Sequence, residues 1–99
     1  MQTINTLRRK LANNEVISVA VNSTNLATWA YSPKTQVMTI LFNRTNIYQY
    51  ENVPIEVAYK MLDVLEQNQS TGKAFRALVL NQYKFSRLNP DGSIRYTGK

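Results

Sequence analysis

VMTILFNRTNIYQY, residues 37–50, reads as two strands around a polar centre. Successive side chains in extended backbone point to opposite faces, so Met38, Ile40 and Phe42 share one face of a strand from Val37 to Phe42. Asn43-Arg44-Thr45-Asn46 makes the connection, and Ile47 to Tyr50 returns with Tyr48 and Tyr50 on a common face. A connection this short joins antiparallel neighbours, because parallel strands need a crossover of a dozen residues or more.

Upstream, Leu26 to Tyr31 reads as another strand. Ser32-Pro33-Lys34 closes it, since proline fixes its own φ and has no N–H for a ladder. Glu15 to Ser23 alternates again, with Ile17, Val19 and Val21 on one face, and Ser23-Thr24-Asn25 is turn-like. Before them, Met1 to Asn14 places Ile4, Leu7 and Leu11 at i, i+3 and i+7, a thin stripe on a short amphipathic helix that stops at Asn13-Asn14.

Downstream the period lengthens. Pro54 is expected in the first turn of a helix whose packing face is Ile55, Ala58, Tyr59, Leu62 and Leu65, with Glu56, Lys60, Asp63 and Glu66 opposite. Gln67 to Thr71 is a polar break. Gly72 precedes a second helix with Ala74, Phe75, Leu78 and Val79 inward and Ser70 or Thr71 as N-cap. Asn89-Pro90-Asp91-Gly92 is a strong turn signal between Leu88 and Ile94, giving a terminal hairpin over Lys84 to Tyr96. The expected class is α+β: a small antiparallel meander of three to four strands packed by two C-terminal helices, with a short N-terminal helix and a terminal hairpin. The expected organisation is an arm over 1–14, a domain over 15–88 and a hairpin or tail over 89–99.

Composition narrows the chemistry. The 99 residues carry 12 Lys and Arg against 6 Asp and Glu, a net +6, with neither His nor Cys. Disulfides, thiolate nucleophiles, zinc-thiolate sites, the usual general base and the commonest metal ligand are all excluded. Glu15, Glu51, Glu56, Asp63, Glu66 and Asp91 form no ligand-like cluster, so neither an enzyme, a metal nor a cofactor is expected. No run of eighteen apolar residues is present, and a soluble cytoplasmic protein without membrane contact is expected.

The charge is unevenly distributed. Residues 1–15, 16–50, 51–72 and 73–99 contribute +2, +2, −3 and +5. In the last of these, Lys73, Arg76, Lys84, Arg87 and Arg95 are interleaved with Phe75, Tyr83, Phe85 and Tyr96. Cations that neutralise phosphates beside rings that stack on bases are the ingredients of single-strand or RNA-loop recognition. The plainer reading is a solvated basic surface over a core that includes Phe75.

Tyr48-Gln49-Tyr50 on a strand, then Val53-Pro54, a helix, Ser70-Thr71-Gly72-Lys73-Ala74-Phe75 and a later Tyr83 together resemble the KTSC domain family, a small domain named for its occurrence at the C-terminus of some lysyl-tRNA synthetases and found also as a stand-alone bacterial or phage protein. Val21-Asn22-Ser23, Leu26, Trp29-Ala30-Tyr31, Met38, Ile40 and Phe42 fit the same pattern, so the resemblance spans about residues 19–88. Two departures stand out: Ala30 where the family tends to have glycine, and Asn43 to Asn46 where it has a glycine-containing turn. The resemblance implies the fold, and its synthetase context implies RNA as a ligand.

The expected binding residues are Arg44, Tyr48, Tyr50, Lys73, Arg76, Tyr83, Lys84 and Arg87. On an exposed face Tyr48 and Tyr50 make a stacking platform; beneath a helix they are core residues, and a solvated Gln49 on the opposite face favours the second arrangement. Trp29 is core by default and a stacking residue otherwise. Arg44 reaches a phosphate from the turn or is an ordinary turn arginine. Ser70 to Lys73 make a generic anion site at a helix start or simply a capped helix. Three functions follow. The first is a non-enzymatic module for RNA or another phosphate-rich ligand. The second is a protein-interaction module, a phage or mobile-element accessory that docks on an acidic host protein or self-associates through Ile4, Leu7 and Leu11. The third is a nucleotide-sequestering protein using the Gly72 helix start.

Overall fold

The structure is a computed structural model that describes residues 3–21, 26–42, 46–89, 91 and 93–98, with backbone alone at 95 and 96. Six strands, β1 (Ile17–Ala20), β2 (Leu26–Ser32), β3 (Val37–Phe42), β4 (Asn46–Tyr50), β5 (Phe85–Leu88) and β6 (Ile94–Gly98), form one antiparallel sheet in sequential order. Among the described residues there are three helices, α1 (Ile4–Ala12), α2 (Ile55–Glu66) and α3 (Thr71–Leu78). The meander is longer than the sequence pattern alone predicts. The terminal hairpin does not stand apart: β5 pairs with β4, at the position a next meander strand would take.

Alternation places one face of β1 to β4 under the helices. Ile17, Val19, Leu26, Trp29, Tyr31, Met38, Ile40 and Tyr50 are buried there, against Leu7 and Leu11 of α1, Val57, Ala58, Met61 and Leu62 of α2, and Phe75 of α3. A register shift between Leu26 and Thr28 lets Leu26 and Trp29, three apart, both face the core. Trp29 is fully buried and is therefore not a stacking residue. The face of α2 is rotated from the expected one: Val57 and Met61 are buried, whereas Ile55, Tyr59 and Leu65 are half-buried. Pro54 is the N-cap rather than the first helical residue, with extended backbone (φ −64°, ψ 150°).

The arm expected over 1–14 is docked. Leu7 and Leu11 are buried, and Arg8 bridges to α2, donating to Asp63 and to both carboxylate oxygens of Glu66. The hydrogen bonds from Arg8, and then its charge, hold the Glu66 carboxyl below its usual range. The partner-docking stripe of Ile4, Leu7 and Leu11 is thus corrected to an intramolecular contact: α2 supplies both the apolar surface and the carboxylates that a stripe beside Arg8 needs.

Asparagine performs turns that glycine often performs. Asn14, Asn52, Asn68 and Asn81 have φ between 57° and 67°. After α1, Asn14 N–H donates to Leu11 O and Glu15 N–H to Lys10 O; after α2, Asn68 N–H donates to Leu65 O and Gln69 N–H to Val64 O. These are paired Schellman closures, which need a left-handed residue just past the C-cap. Asparagine takes that conformation at lower cost than most side chains.

The link from β4 to α2 is clamped. Val53, fully buried, donates its N–H to Gln36 O in the β2–β3 turn (2.9 Å), and its carbonyl accepts from the Tyr31 hydroxyl. Burial first, then the charge of Glu56 and the proximity of Tyr83, raise the Tyr31 pKa above its ordinary 10.0.

The opposite face of the sheet carries two in-register rows. One runs Ala20, Thr28, Leu41, Ile47, Leu88, Ile94 across all six strands. The other runs Ser18, Ala30, Thr39, Gln49, Ser86, Thr97.

Two predictions follow from the packing. Leu11→Ala is expected to cost about 2–5 kcal/mol, the range for truncating a buried leucine, read by urea denaturation. Tyr31 stabilises as the neutral donor. Because its folded pKa is raised, that contribution is whole below its unfolded value and is lost as pH rises through the folded value. The melting-temperature advantage of wild type over Tyr31→Phe should therefore hold from about pH 8 to about pH 10 and shrink above that; a constant advantage across the alkaline limb would refute the clamp.

Candidate nucleic-acid interface

Tyr48 sits at the centre of an aromatic group on the helix-side face of the sheet. It pairs with Ile40 on β3 and with Arg87 on β5. Its ring meets Phe42 edge-on at 5.5 Å, tilts against Phe85 at 5.4 Å and lies near-parallel to Tyr50 at 6.5 Å. From above, Phe75 of α3 contacts Phe42 at 5.5 Å and Tyr50 at 5.6 Å, both edge-on. The i, i+2 spacing of Tyr48 and Tyr50 and the cross-strand register of Phe42 and Phe85 make this grouping unavoidable once the strands pair.

Arg87 lies over the group. Its guanidinium carbon is 5.8 Å from the Tyr48 ring centroid, and Nη2 donates to Asn46 Oδ1 at 2.7 Å. Asn46 and Tyr48 are two apart on one strand, so they share a face, and Arg87 opposite Tyr48 reaches both. A guanidinium held over a ring and fixed by an amide keeps donors in a defined plane, the geometry that suits a phosphate or a base edge. Tyr48, Phe85, Arg87 and Asn46 are all half-buried.

The expected site residues separate into groups. Tyr48 and Arg87 come together. Tyr50, at 2% exposure, is buried beneath α3 and is corrected from a binding residue to a core residue. Tyr83 is half-buried and packs against the core. Lys73 and Arg76 are exposed, three apart on α3, the spacing that sets side chains side by side on a helix. Lys84 is exposed beside β5, with its carbonyl accepting from Glu51 N–H at 2.9 Å. Arg44 falls outside the described residues.

At the start of α3, Ser70 is the N-cap, and its hydroxyl accepts from Lys73 N–H at 3.2 Å. Thr71 and Gly72 are already helical, so the helix begins earlier than expected. Val64, Gln69, Ser70, Lys73 and Ala74 line an open hollow of about 460 Å³ beside it. Among the described residues, no three of His, Cys, Asp and Glu are grouped to hold a metal. No described helix is long and apolar enough to cross a membrane.

The sequence profile of the KTSC domain matches residues 22–83. The chain belongs to the KTSC domain family. An uncharacterized protein of Stutzerimonas stutzeri (strain A1501) is 31% identical over 72 residues, spanning 72% of this chain and 96% of its own. The crystal structure of a KTSC domain protein from Yersinia pestis superposes with a TM-score of 0.62 at 19% identity, covering 75% of this chain and 99% of that one. The profile match ends at residue 83, before β5 and β6. Tyr48, Lys73 and Arg76 therefore lie in the matched KTSC region, whereas Lys84, just before β5, and Arg87, within it, follow that region.

Asn46, which accepts from Arg87, is the member of the candidate site that sequence reading missed. It reads as a turn residue, and only the pairing of β5 with β4 brings Arg87 within its reach. Truncation should separate the two tyrosines. Tyr50→Ala is expected to cost about 3–5 kcal/mol, as for a buried aromatic. Tyr48→Ala should cost clearly less, since its ring is half-buried; equal losses in urea denaturation would place Tyr48 in the core as well.

Proposed function

We propose that this KTSC domain is a non-catalytic module that binds single-stranded or looped RNA, or another phosphate-rich strand, through the basic surface around β4, β5 and α3. Arg87, held over Tyr48 and bonded to Asn46, is the observation that carries this reading. It joins a phosphate-seeking cation to an aromatic ring in one half-buried arrangement. Lys73, Arg76 and Lys84 are exposed cations in the same part of the chain, and residues 73–99 hold +5 of the net charge. Two of the three carboxylates on α2, Asp63 and Glu66, are engaged by Arg8, which supports a non-catalytic role for that pair. An RNA ligand would suit a cytoplasmic location.

Each phosphate neutralised releases condensed counterions, so affinity falls linearly on a log–log salt plot by about 0.7 per contact for single strands. Four cations imply a slope between about −2 and −3. Fluorescence anisotropy with a labelled mixed-sequence RNA, from about 50 to about 200 mM KCl, reads this slope. Lys73→Gln with Arg76→Gln should flatten the slope by roughly one to two contacts' worth and weaken binding alike for all sequences. Tyr48→Leu should weaken binding at every salt concentration without changing the slope, by about 1–3 kcal/mol if a base stacks there. No binding to RNA or DNA at the lowest salt ends the proposal.

A further inference from the structure

The sheet face turned away from the helices departs from the rest of the surface. Its two in-register rows contain small hydroxyl and alanine side chains, one glutamine and a continuous apolar segment, Leu41, Ile47, Leu88 and Ile94, over four neighbouring strands. None of the described side chains in those rows is charged, although the chain carries 18 Lys, Arg, Asp and Glu in all; Glu51 and Lys84, of opposite sign, follow Gln49 and precede Ser86 by two residues and so flank the rows on the same face. Ile94 is 63% exposed. A second, shallow hollow of about 290 Å³ opens toward the β1–β3 end, lined by uncharged side chains including Ala30, Val37, Thr39 and Gln49. Solvent-facing sheet surfaces normally alternate to polar and charged residues, and the cores of protein interfaces are the surfaces depleted of charge.

We infer that this face is a self-association surface, on which a second copy of the chain packs sheet against sheet about a two-fold axis. Charge selects the occupant. Two chains of net +6 repel wherever their basic surfaces meet, and these two rows let them approach without placing like charges opposite each other. Among the described side chains of these two rows an acidic partner or a nucleic acid would find no cation to recognise. Area permits it: six strands about 4.8 Å apart and roughly five residues long give a footprint near 500 Å² per copy. A pair thus buries about 1,000 Å², where specific interfaces begin, which implies a weak dimer with Kd in the micromolar range or above. An in-plane axis between β3 and β4 lays β6 of one copy over β1 of the other, directing the exposed Ile94 toward the end that carries the hollow.

Sedimentation equilibrium of the full chain from about 10 μM to about 1 mM tests this. The weight-average mass should rise from 11.4 kDa toward twice that value. Salt should strengthen the association, because it screens repulsion between two basic chains, the opposite of its effect on RNA binding. Ile94→Lys and Thr39→Lys should each weaken association tenfold or more with unchanged circular dichroism, and Ile94, already exposed, decides if the Thr39 variant unfolds. A monomer throughout overturns the inference and leaves the face to another partner. Dimerisation indifferent to both lysines, or weakened by salt, also overturns it. RNA affinity measured on the same samples stands or falls separately.

Discussion

The fixed point of the structure is the backbone of Val53. One peptide donates to the β2–β3 turn, its neighbour accepts from the phenol of β2, and the side chain is fully buried. A segment leaving a sheet carries polar backbone groups that must find partners once covered, and here both are provided by elements already formed by local pairing. Gln36 takes φ 58° in that turn, and its carbonyl accepts from Val53. With the exit from β4 fixed, α2 must run over the same face that holds Trp29, Tyr31 and Met38. The other helices are placed in turn: α1 by the Arg8 bridge and its two leucines, α3 by the Schellman closure at Asn68 and the contact of Phe75 with the aromatic group.

Much of this was legible because period two survives in short strands. The β3 bounds and the common face of Met38, Ile40 and Phe42 follow from alternation alone. The face of α2 does not, because Ile55, Val57, Ala58, Tyr59, Met61, Leu62, Val64 and Leu65 leave few sides of that helix polar. In such a helix the exit geometry at Val53, a long-range property, decides which stripe is buried. Likewise the Asn89 to Gly92 turn announces a hairpin without saying which strand it joins. That hairpin closes through Asn89 N–H to Ser93 O and through Ser93 to the Asp91 carboxylate, all local bonds. Its attachment to β4 rests on cross-strand contacts between Tyr48, Tyr50, Phe85 and Arg87.

The same distinction governs the candidate site. Alternation puts Tyr48 and Tyr50 on one face, and nothing in the pattern distinguishes them. Helix α3 does, by covering Tyr50 and leaving Tyr48 half-buried beside β5. A residue type and a face were thus readable, whereas exposure depended on the length and placement of an eight-residue helix. Arg87 illustrates the converse: its charge was visible at once, but its partners Asn46 and Tyr48 lie about forty residues away and meet it through register alone.

Alternation also ties the two faces of the sheet together. Strands that present bulky aromatics and aliphatics inward at every second position leave the intervening positions to the other face, and in this chain those are threonine, serine, alanine, glutamine and a run of aliphatics. The described charges are accordingly concentrated in helices, turns and β5. A protein of net +6 thereby presents two regions of different character: the cations around Arg87 and α3, where a polyanion is proposed to bind, and two described rows of the sheet that carry no charge. Salt would weaken the attraction proposed at the first and relieve the repulsion that opposes contact at the second. The helix layer covers one face alone, so Arg87 and the α3 cations lie on the helix side of the sheet while the uncharged rows lie on the other.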